Sequence, residues 1–587
     1  MDEKQFARKD RSEKLLNRKF ISETVVKCSL QSILVKDDFT DMFVEAVEKR
    51  MVACSKRTWN ASICLNLLIR ERFQGISDPT LVQLPDFCDQ TFLRQLLLGT
   101  SGAVKPFPEI TDLFDRHPKL LSHEERHIGD RNIYSAAAIK LSTNIKNHLV
   151  VNFPRFLKKY LYKVSGLTHD EAVASLYLIN GWKQQRKKDI VLDMVKVDYC
   201  SRKLRYILGI GDETKVTDRW LKSNLPSILR LFVYINRALE LNSLPLFNIL
   251  PIMKIKAHFI TMDTSVFTGI LKDIGVAYEV PPETEMDFWY SVFNIHKIMG
   301  KGKTFTRTMD TDGVAVNVHF NKPKVASDIK SVMDLKGKRV IGVDPGRTNI
   351  FEMVEKLKDG TYKEYSLTRN QYYTEAGMIE ARKHSEHWNR YIRKEIAALS
   401  EASPKSMKLS KFMIYIKTSQ QAQAALWNEY LNKHWRQQRL RLYGGKKRVF
   451  SKFLNRLGPL DNTVLAYGSA KFASGGKGEM SVPTTRAFKE CSYRLPIVLV
   501  DEFRTSKIYW KNGTILELVN TFVSKKPLRG LLWCCSTSTE KGKFINRDIN
   551  AAINILNCAT LPTRPIALQR SPNLRKIVQH VGKTIRF

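Results

Sequence analysis

Lys338-Arg339-Val340-Ile341-Gly342-Val343-Asp344-Pro345-Gly346 is the stretch whose reading decides the fold of this 587-residue chain. A short apolar run ends in an acid, then in a Pro-Gly turn. Its β-branched residues favour a strand over 339–343, and Pro-Gly stops it. A carboxylate at a buried strand end is costly unless a cation pairs with it. Asp-Pro-Gly is also ordinary surface-turn chemistry, so the neighbouring segments have to decide.

Downstream, 351–357 and 362–367 read as two more strands, joined by Asp359-Gly360. Two long helices rich in Arg, Lys, His and Trp are predicted at 375–398 and 415–442. Strand-like segments follow at 462–467 and 497–503, and a last helix begins near Asp548. Three strands, a helix, more strands and a helix is the order of an RNase H-like fold.

Cleavage of a phosphodiester with two metal ions needs several carboxylates meeting at one point, with the ions about 4 Å apart. Mg²⁺ takes oxygen ligands and keeps several waters, so a few Asp or Glu side chains suffice. Asp344 stands at a strand end, where the backbone can fix it. Asp548, in Asn546-Arg547-Asp548-Ile549-Asn550, opens a helix, although Asp also fills N-caps routinely. Asp501 and Glu502 follow the apolar run 495–500, and alternation lets only one of them face a site. The other would point to solvent or toward Arg504.

Charge narrows the class of partner. Lys plus Arg is 96 against 58 for Asp plus Glu, a net +38. Such a surplus opposes a compact fold unless a polyanion offsets it, and nucleic acid does so with release of counterions. Nine cysteines (28, 54, 64, 88, 200, 491, 534, 535 and 558) are odd in number and irregular in spacing, which suits a reducing compartment rather than a disulfide framework. No apolar run is long enough to span a bilayer. The start, Met1-Asp2-Glu3-Lys4, lacks the apolar core of a signal peptide. A soluble intracellular protein is expected, with Arg186-Lys187-Lys188 and Lys446-Lys447-Arg448 as possible nuclear import signals.

The first half differs in character. Residues 24–36 read as a strand, and 40–242 as mostly helical, with apolar steps of three and four over 41–56 and 227–241. Basic residues interleave the apolar ones, as a helical layer facing a duplex or folded RNA requires. From 250 to 325 the pattern is β, with 254–262 strand-like and a hairpin at Asp312-Gly313. The first strand completes this small β-domain.

Together these segments resemble the Fanzor proteins, eukaryotic relatives of transposon-encoded TnpB nucleases and of type V CRISPR effectors. The resemblance rests on Ile341-Gly-Val-Asp344-Pro-Gly346, Asp501-Glu-Phe-Arg-Thr-Ser-Lys507 and Asn546-Arg-Asp-Ile-Asn-Ala-Ala552. Thr311-Asp-Gly-Val-Ala-Val, Asp287-Phe-Trp-Tyr-Ser-Val-Phe-Asn294 and the glycine loop near Gly468 and Gly475 support it. It implies a multidomain α/β protein with a C-terminal RNase H-like (RuvC) nuclease domain, preceded by a small β-barrel wedge domain with an inserted helical recognition domain. The expected boundaries are 1–40 for the first wedge strand, 41–245 for the helical domain, 246–333 for the rest of the wedge and 334–587 for the nuclease. Within the last, basic helices span 375–442, a lid loop 468–490 and a degenerate zinc-finger-like segment 508–545.

The activity implied is RNA-guided DNA cleavage: guide RNA and target double-stranded DNA as partners, two Mg²⁺ ions as cofactors, a monomeric ribonucleoprotein and a nuclear location. The catalytic and metal-binding set would be Asp344, Glu502 and Asp548. Two departures from the TnpB pattern stand out. Those proteins carry their middle glutamate at the end of the strand that here reads Val464-Leu-Ala-Tyr467-Gly468; a substitute before Thr-Ser-Lys favours Glu502. The usual spaced cysteine pairs are reduced to adjacent Cys534 and Cys535, a poor half-site for tetrahedral zinc, so zinc is not expected and 508–545 should pack as an apolar knob around Trp510, Leu531, Leu532 and Trp533.

Candidate nucleic-acid contacts are Lys158, Lys159, Arg186, Lys187, Arg436, Arg439, Lys446, Lys447, Lys471 and Lys477. Trp388, Tyr391, Trp427, Tyr430 and Trp435 divide between base stacking and core. Two rival classes remain. One is a transposon-derived RNA- and DNA-binding protein without effective catalysis, favoured by the missing acid at Tyr467. The other is an unguided nuclease, which has no use for about 330 residues of basic structure before the site.

Overall fold

The computed structural model describes residues 21–35, 40–99, 107–120, 130–181, 192–276, 284–323, 335–469, 482–521, 527–535 and 541–570. The protein is a multidomain α/β chain of two compact units. One comprises Met1–Lys324 with Glu386–Leu440, the other Val325–Ser385 with Arg441–Phe587.

In the first unit, β1 (Ile21–Ser29) pairs antiparallel with β4 (Ala315–Pro323), from Ile21↔Pro323 to Ser29↔Ala315. With β2 (Ile260–Met262) and β3 (Thr304–Thr311) they form one sheet in the order β1-β4-β3-β2. The N-terminal strand therefore does join a β-region hundreds of residues away. The sheet is open among the described residues, with no β1–β2 pairing to close a barrel. At the β3–β4 turn, Asp312 Oδ1 accepts from Val314 N (3.2 Å) and Ala315 N (2.8 Å), and Gly313 takes φ +81°, which an L side chain rarely adopts. The strand expected over 254–262 shortens to its last three residues, and the one expected to 36 ends at Ser29, where a 3₁₀ turn over Leu30–Ser32 begins.

Long helices build the rest of this unit: α1 (Thr40–Phe73), α2 (Asp130–Lys163), α3 (Leu225–Leu241) and α4 (Leu409–Tyr430). The apolar steps of 227–241 become a buried stripe of Ile228, Leu229, Phe232, Ile235 and Leu239. Helix α5 (Lys433–Asn455) begins here and continues into the second unit.

Residues 386–440 belong to the first unit, although the sequence placed 375–442 with the nuclease domain. Packing gives the reason. Trp427 meets Trp59 edge to face at 6.4 Å, and the Arg70 guanidinium lies 3.8 Å from the Phe412 ring centre. Arg70 also donates to the carbonyls of Ser406 (2.9 Å) and Pro404 (2.7 Å). None of these contacts is visible in helical periodicity.

The second unit is centred on a five-stranded sheet, β7-β6-β5-β8-β9, formed by β5 (Arg339–Asp344), β6 (Asn349–Lys356), β7 (Tyr362–Thr368), β8 (Thr463–Gly468) and β9 (Ile497–Val500). β5–β6 and β6–β7 are antiparallel; β5–β8 and β8–β9 are parallel. Helix α6 (Arg547–Thr560) covers one face, and a cluster including Ile341, Val343, Phe351, Leu465, Phe450 and Phe453 fills the other. The 508–545 segment contributes a small sheet of β10 (Glu517–Asn520), β11 (Pro527–Cys534) and β12 (Lys543–Asn546). Its core is Tyr509, Leu516, Leu532 and Cys534, with Trp510 and Ile545 against it.

Candidate functional site

Strand alternation sorts the residues of the large sheet. Ile341 and Val343 face the cluster away from α6, so Gly342 and Asp344 face α6. A Cβ at Gly342 would stand 2.3 Å from the Ala552 carbonyl oxygen, which shows how closely the helix lies on the strand. On β6, Val354 and Glu352 are the register partners of Gly342 and Asp344 and share their face. Val354 packs with Ala552 and Ile553. On β8, Ala466 packs with Val500 and Ile555, which puts Gly468 on that face as well.

At the end of this face the acids gather. Asp344 is 8 % exposed and Glu352 4 %, both inside the sheet surface. The side chain of Glu502 lies against Gly468: a Cβ there would be 2.0 Å from Glu502 Oε1. Tyr467, the neighbouring residue, points the other way, into a core with Phe351 and Phe488. Asp548 is in the first turn of α6. Its N-cap is Asn546, whose Oδ1 accepts from Asp548 N (3.0 Å) and Ile549 N (3.2 Å), so capping does not occupy Asp548.

Electrostatics tie the four together. Burial, then the charges of Asp548 and Glu502, hold the Asp344 carboxyl well above the usual carboxylate range. Burial pushes Glu352 up to about 7, with Asp548 adding to the rise. No side-chain hydrogen bond reaches Asp344 among the described residues. Asn349 Nδ2 bridges Glu352 Oε2 (3.0 Å) and Asp548 Oδ2 (3.5 Å), and Arg547 Nε lies 3.4 Å from Asp548 Oδ1. The donors are all hard oxygens, a set that suits Mg²⁺. Among the described residues, no three or more His, Cys, Asp or Glu side chains are drawn close enough to hold a metal ion as they stand. The four carboxylates share a neighbourhood rather than a ligand sphere.

Asp501 takes the other role. It pairs with Arg570 (2.6 and 2.8 Å) rather than with Arg504. The turn that carries Glu502 is pinned from below: Asn550 and Asn554, one helical turn apart on α6, both donate to the carbonyls of Thr505 and Ile508 at 2.7–3.1 Å. One helix thus carries Asp548 and anchors the loop of Glu502. Glu352 escaped the sequence reading, although an acid inside the apolar run Ile350-Phe351-Glu352-Met353-Val354 was a signal for it.

The expected nucleic-acid contacts separate into three groups. Arg186, Lys187, Lys471 and Lys477 lie outside the described residues. Lys158 and Lys447 are exposed, and Lys446 is half-buried. Arg436 is buried, 2.6 Å from Glu48 and 2.9 Å from the Asp312 carbonyl oxygen; Arg439 bonds Ala257 O (3.2 Å) and Asp312 Oδ2 (3.3 Å); Lys159 donates to the Pro245 carbonyl. These three are engaged within the fold. Among the aromatics, Trp427 is buried, while Trp388, Tyr430 and Trp435 form a cluster with His434; Tyr391 is 76 % exposed. Cys534 is buried, its thiol 3.7 Å from Thr514 Oγ1 and 3.8 Å from the Cys535 carbonyl oxygen. Among the described residues no helix is long and apolar enough to cross a membrane.

No family model and no curated protein matches the chain. Among solved structures it is similar to one described as the cryo-EM structure of a Cas12i–crRNA–dsDNA complex in the I1 state, at 11 % identity and a TM-score of 0.22, covering 95 % of this chain and 93 % of that one.

Proposed function

We propose that this protein is an RNA-guided DNA endonuclease whose cleavage site is formed by Asp344, Glu502 and Asp548, with Glu352 beside them. The observation that carries the reading is Asp344: a buried carboxylate with no hydrogen-bond donor among the described residues, set against three further acids. Burying such a charge among like charges is strongly unfavourable unless a cation joins it. Asp344, Glu502 and Asp548 are the residues that would hold Mg²⁺, which supplies activation of water and stabilisation of the leaving oxygen. The chain itself fixes Asp344 at the end of a central strand. It holds Glu502 through the asparagine-pinned turn and aligns Asp548 through the Asn349 bridge. The strand order, with three antiparallel strands followed by two parallel ones under a helix, supports an RNase H-like nuclease unit. The guided part, and a nuclear location, rest on the motif resemblance and the basic surplus.

The test is to purify the protein with its own RNA, sequence that RNA, and incubate the complex with matched duplex DNA and Mg²⁺. A discrete RNA with cleavage abolished by Asp344→Ala is the expected result. Discrete RNA and matched binding without cleavage would support the second reading, a binding protein without catalysis, which the unconverged acids favour. Heterogeneous RNA that washes away at high salt would remove the guide.

A further inference from the structure

The first unit contains a cavity of about 310 Å³ that the proposed cleavage does not use. Residues of α1, α2, the segment before β2 and strands β2 to β4 enclose it. Its lining is about evenly apolar and polar, with Ile133, Leu141, Met253 and Phe259 as the main apolar residues. Lys140, Asp310, Asn144, His258 and Asn317 are its main polar groups.

The charged pair is already satisfied. Lys140 Nζ donates to Asp310 Oδ1 (2.8 Å), Thr261 Oγ1 (2.8 Å) and the Phe259 carbonyl (3.3 Å), which uses its three protons. Asp310 also accepts from Thr261 Oγ1 (2.6 Å) and lies 3.1 Å from His319 Nε2. The uncharged groups are less engaged. His258 Nε2 is 3.0 Å from the Lys254 carbonyl oxygen, which can only accept, so the proton is on Nε2 and Nδ1 remains an acceptor. Burial holds this imidazole down to about 4, hence neutral near pH 7. The Asn144 amide reaches only the Met253 thioether, at 3.4 Å, and the Asn317 side chain makes no hydrogen bond among the described residues.

This combination is selective. An anion finds no uncommitted cation, and a cation finds no uncommitted carboxylate. An aliphatic ligand would leave the half-buried Asn317 carboxamide unpaired against it, which is costly. A flat neutral heterocycle with mixed donors and acceptors meets every group, and an Asn carboxamide matches the adjacent donor and acceptor of adenine. The volume is at the lower end of small-molecule sites, about 300–1,000 Å³.

We propose that this cavity is a nucleobase site, taking one base against its apolar residues with Asn144, Asn317 and His258 reading the edge. The site is independent of cleavage in the second unit. The full chain would be titrated into 2-aminopurine riboside and, separately, into a short single-stranded RNA carrying one 2-aminopurine. Saturable quenching that adenosine reverses is expected. Ala137→Leu, which narrows the cavity from α2, and Asn317→Leu should each weaken it about tenfold, the scale of one good base contact. Asn144→Leu, on an exposed helix position, gives the same reading should either of the others unfold. Quenching of the riboside assigns a free nucleoside or nucleotide; quenching of the RNA alone assigns a base within a strand. No saturable quenching of either probe, or quenching that none of the variants weakens, overturns the site.

Discussion

Gly468→Ala is the sharpest perturbation of the acid cluster, because one methyl group addresses one carboxylate. Gly468 ends β8 with an ordinary backbone conformation, so alanine introduces no strain there. Its Cβ would be 2.0 Å from Glu502 Oε1, 2.7 Å from Cδ and 2.9 Å from Cγ. Ordinary contact is about 3.5 Å, so the carboxylate must retreat by about 1.5 Å. The clash is with the far end of a flexible side chain, and alanine suits a strand better than glycine by about 0.5–1 kcal/mol. Folding stability should therefore change by less than about 1 kcal/mol. A group misplaced by about 1 Å costs up to about a hundredfold in rate, roughly 2.7 kcal/mol of barrier. Single-turnover cleavage of matched duplex DNA by the ribonucleoprotein, beside a thermal melt, measures both. The expected result is a rate reduced about a hundredfold with an unshifted melt. Parental cleavage by Gly468→Ala, while Glu502→Gln is inactive, would refute the placement of Glu502 against Gly468; parental cleavage by both would remove Glu502 from the site.

Other outcomes follow from the same geometry. Asp344→Asn should stabilise the metal-free protein while abolishing cleavage, since each pKa unit by which burial and neighbours raise that carboxyl is about 1.4 kcal/mol of penalty on the charged form; chemical denaturation in chelator checks it. Glu352, raised from 4.5 to about 7, binds more protons folded than unfolded in that interval, so metal-free stability should fall as pH rises through it, and Glu352→Gln should flatten the slope. Asn550→Ala and Asn554→Ala should each cost about 1 kcal/mol and the pair considerably more, because each asparagine alone still covers the carbonyls of Thr505 and Ile508. Arg436→Ala should destabilise by about 1–3 kcal/mol, by stranding the buried Asp312 carbonyl and releasing the half-buried Glu48, with no change in the salt dependence of RNA binding. Lys447→Ala, at an exposed position, should leave the melt unchanged and, if it meets a phosphate, lower the salt slope by about 0.9.

What the sequence showed and what it hid follow one physical division. The strand 339–344, the helix starting near 548 and the hairpin at Asp312-Gly313 were legible because local chemistry dictates them: β-branched runs, a Pro-Gly stop, and an Asx turn with positive φ. The placement of 386–440 was not, since a helix's period says which face is buried and not what buries it. The basic residues show the same limit. Arg436 and Lys447 are indistinguishable in sequence, both cations on one basic helix, yet Glu48 and the Asp312 carbonyl engage one while the other is exposed. The acid cluster lies between these cases. Asp344, Glu502 and Asp548 came from motifs, whereas Glu352 needed the register Asp344↔Glu352, because an acid in the middle of a strand is expensive and is explained only by what stands opposite it. Position along the strand does not say which face Tyr467 and Gly468 occupy. The structure counts faces: Tyr467 belongs to the core side, and the side beneath α6 ends in Gly468, whose missing Cβ leaves the room that the Glu502 carboxylate occupies.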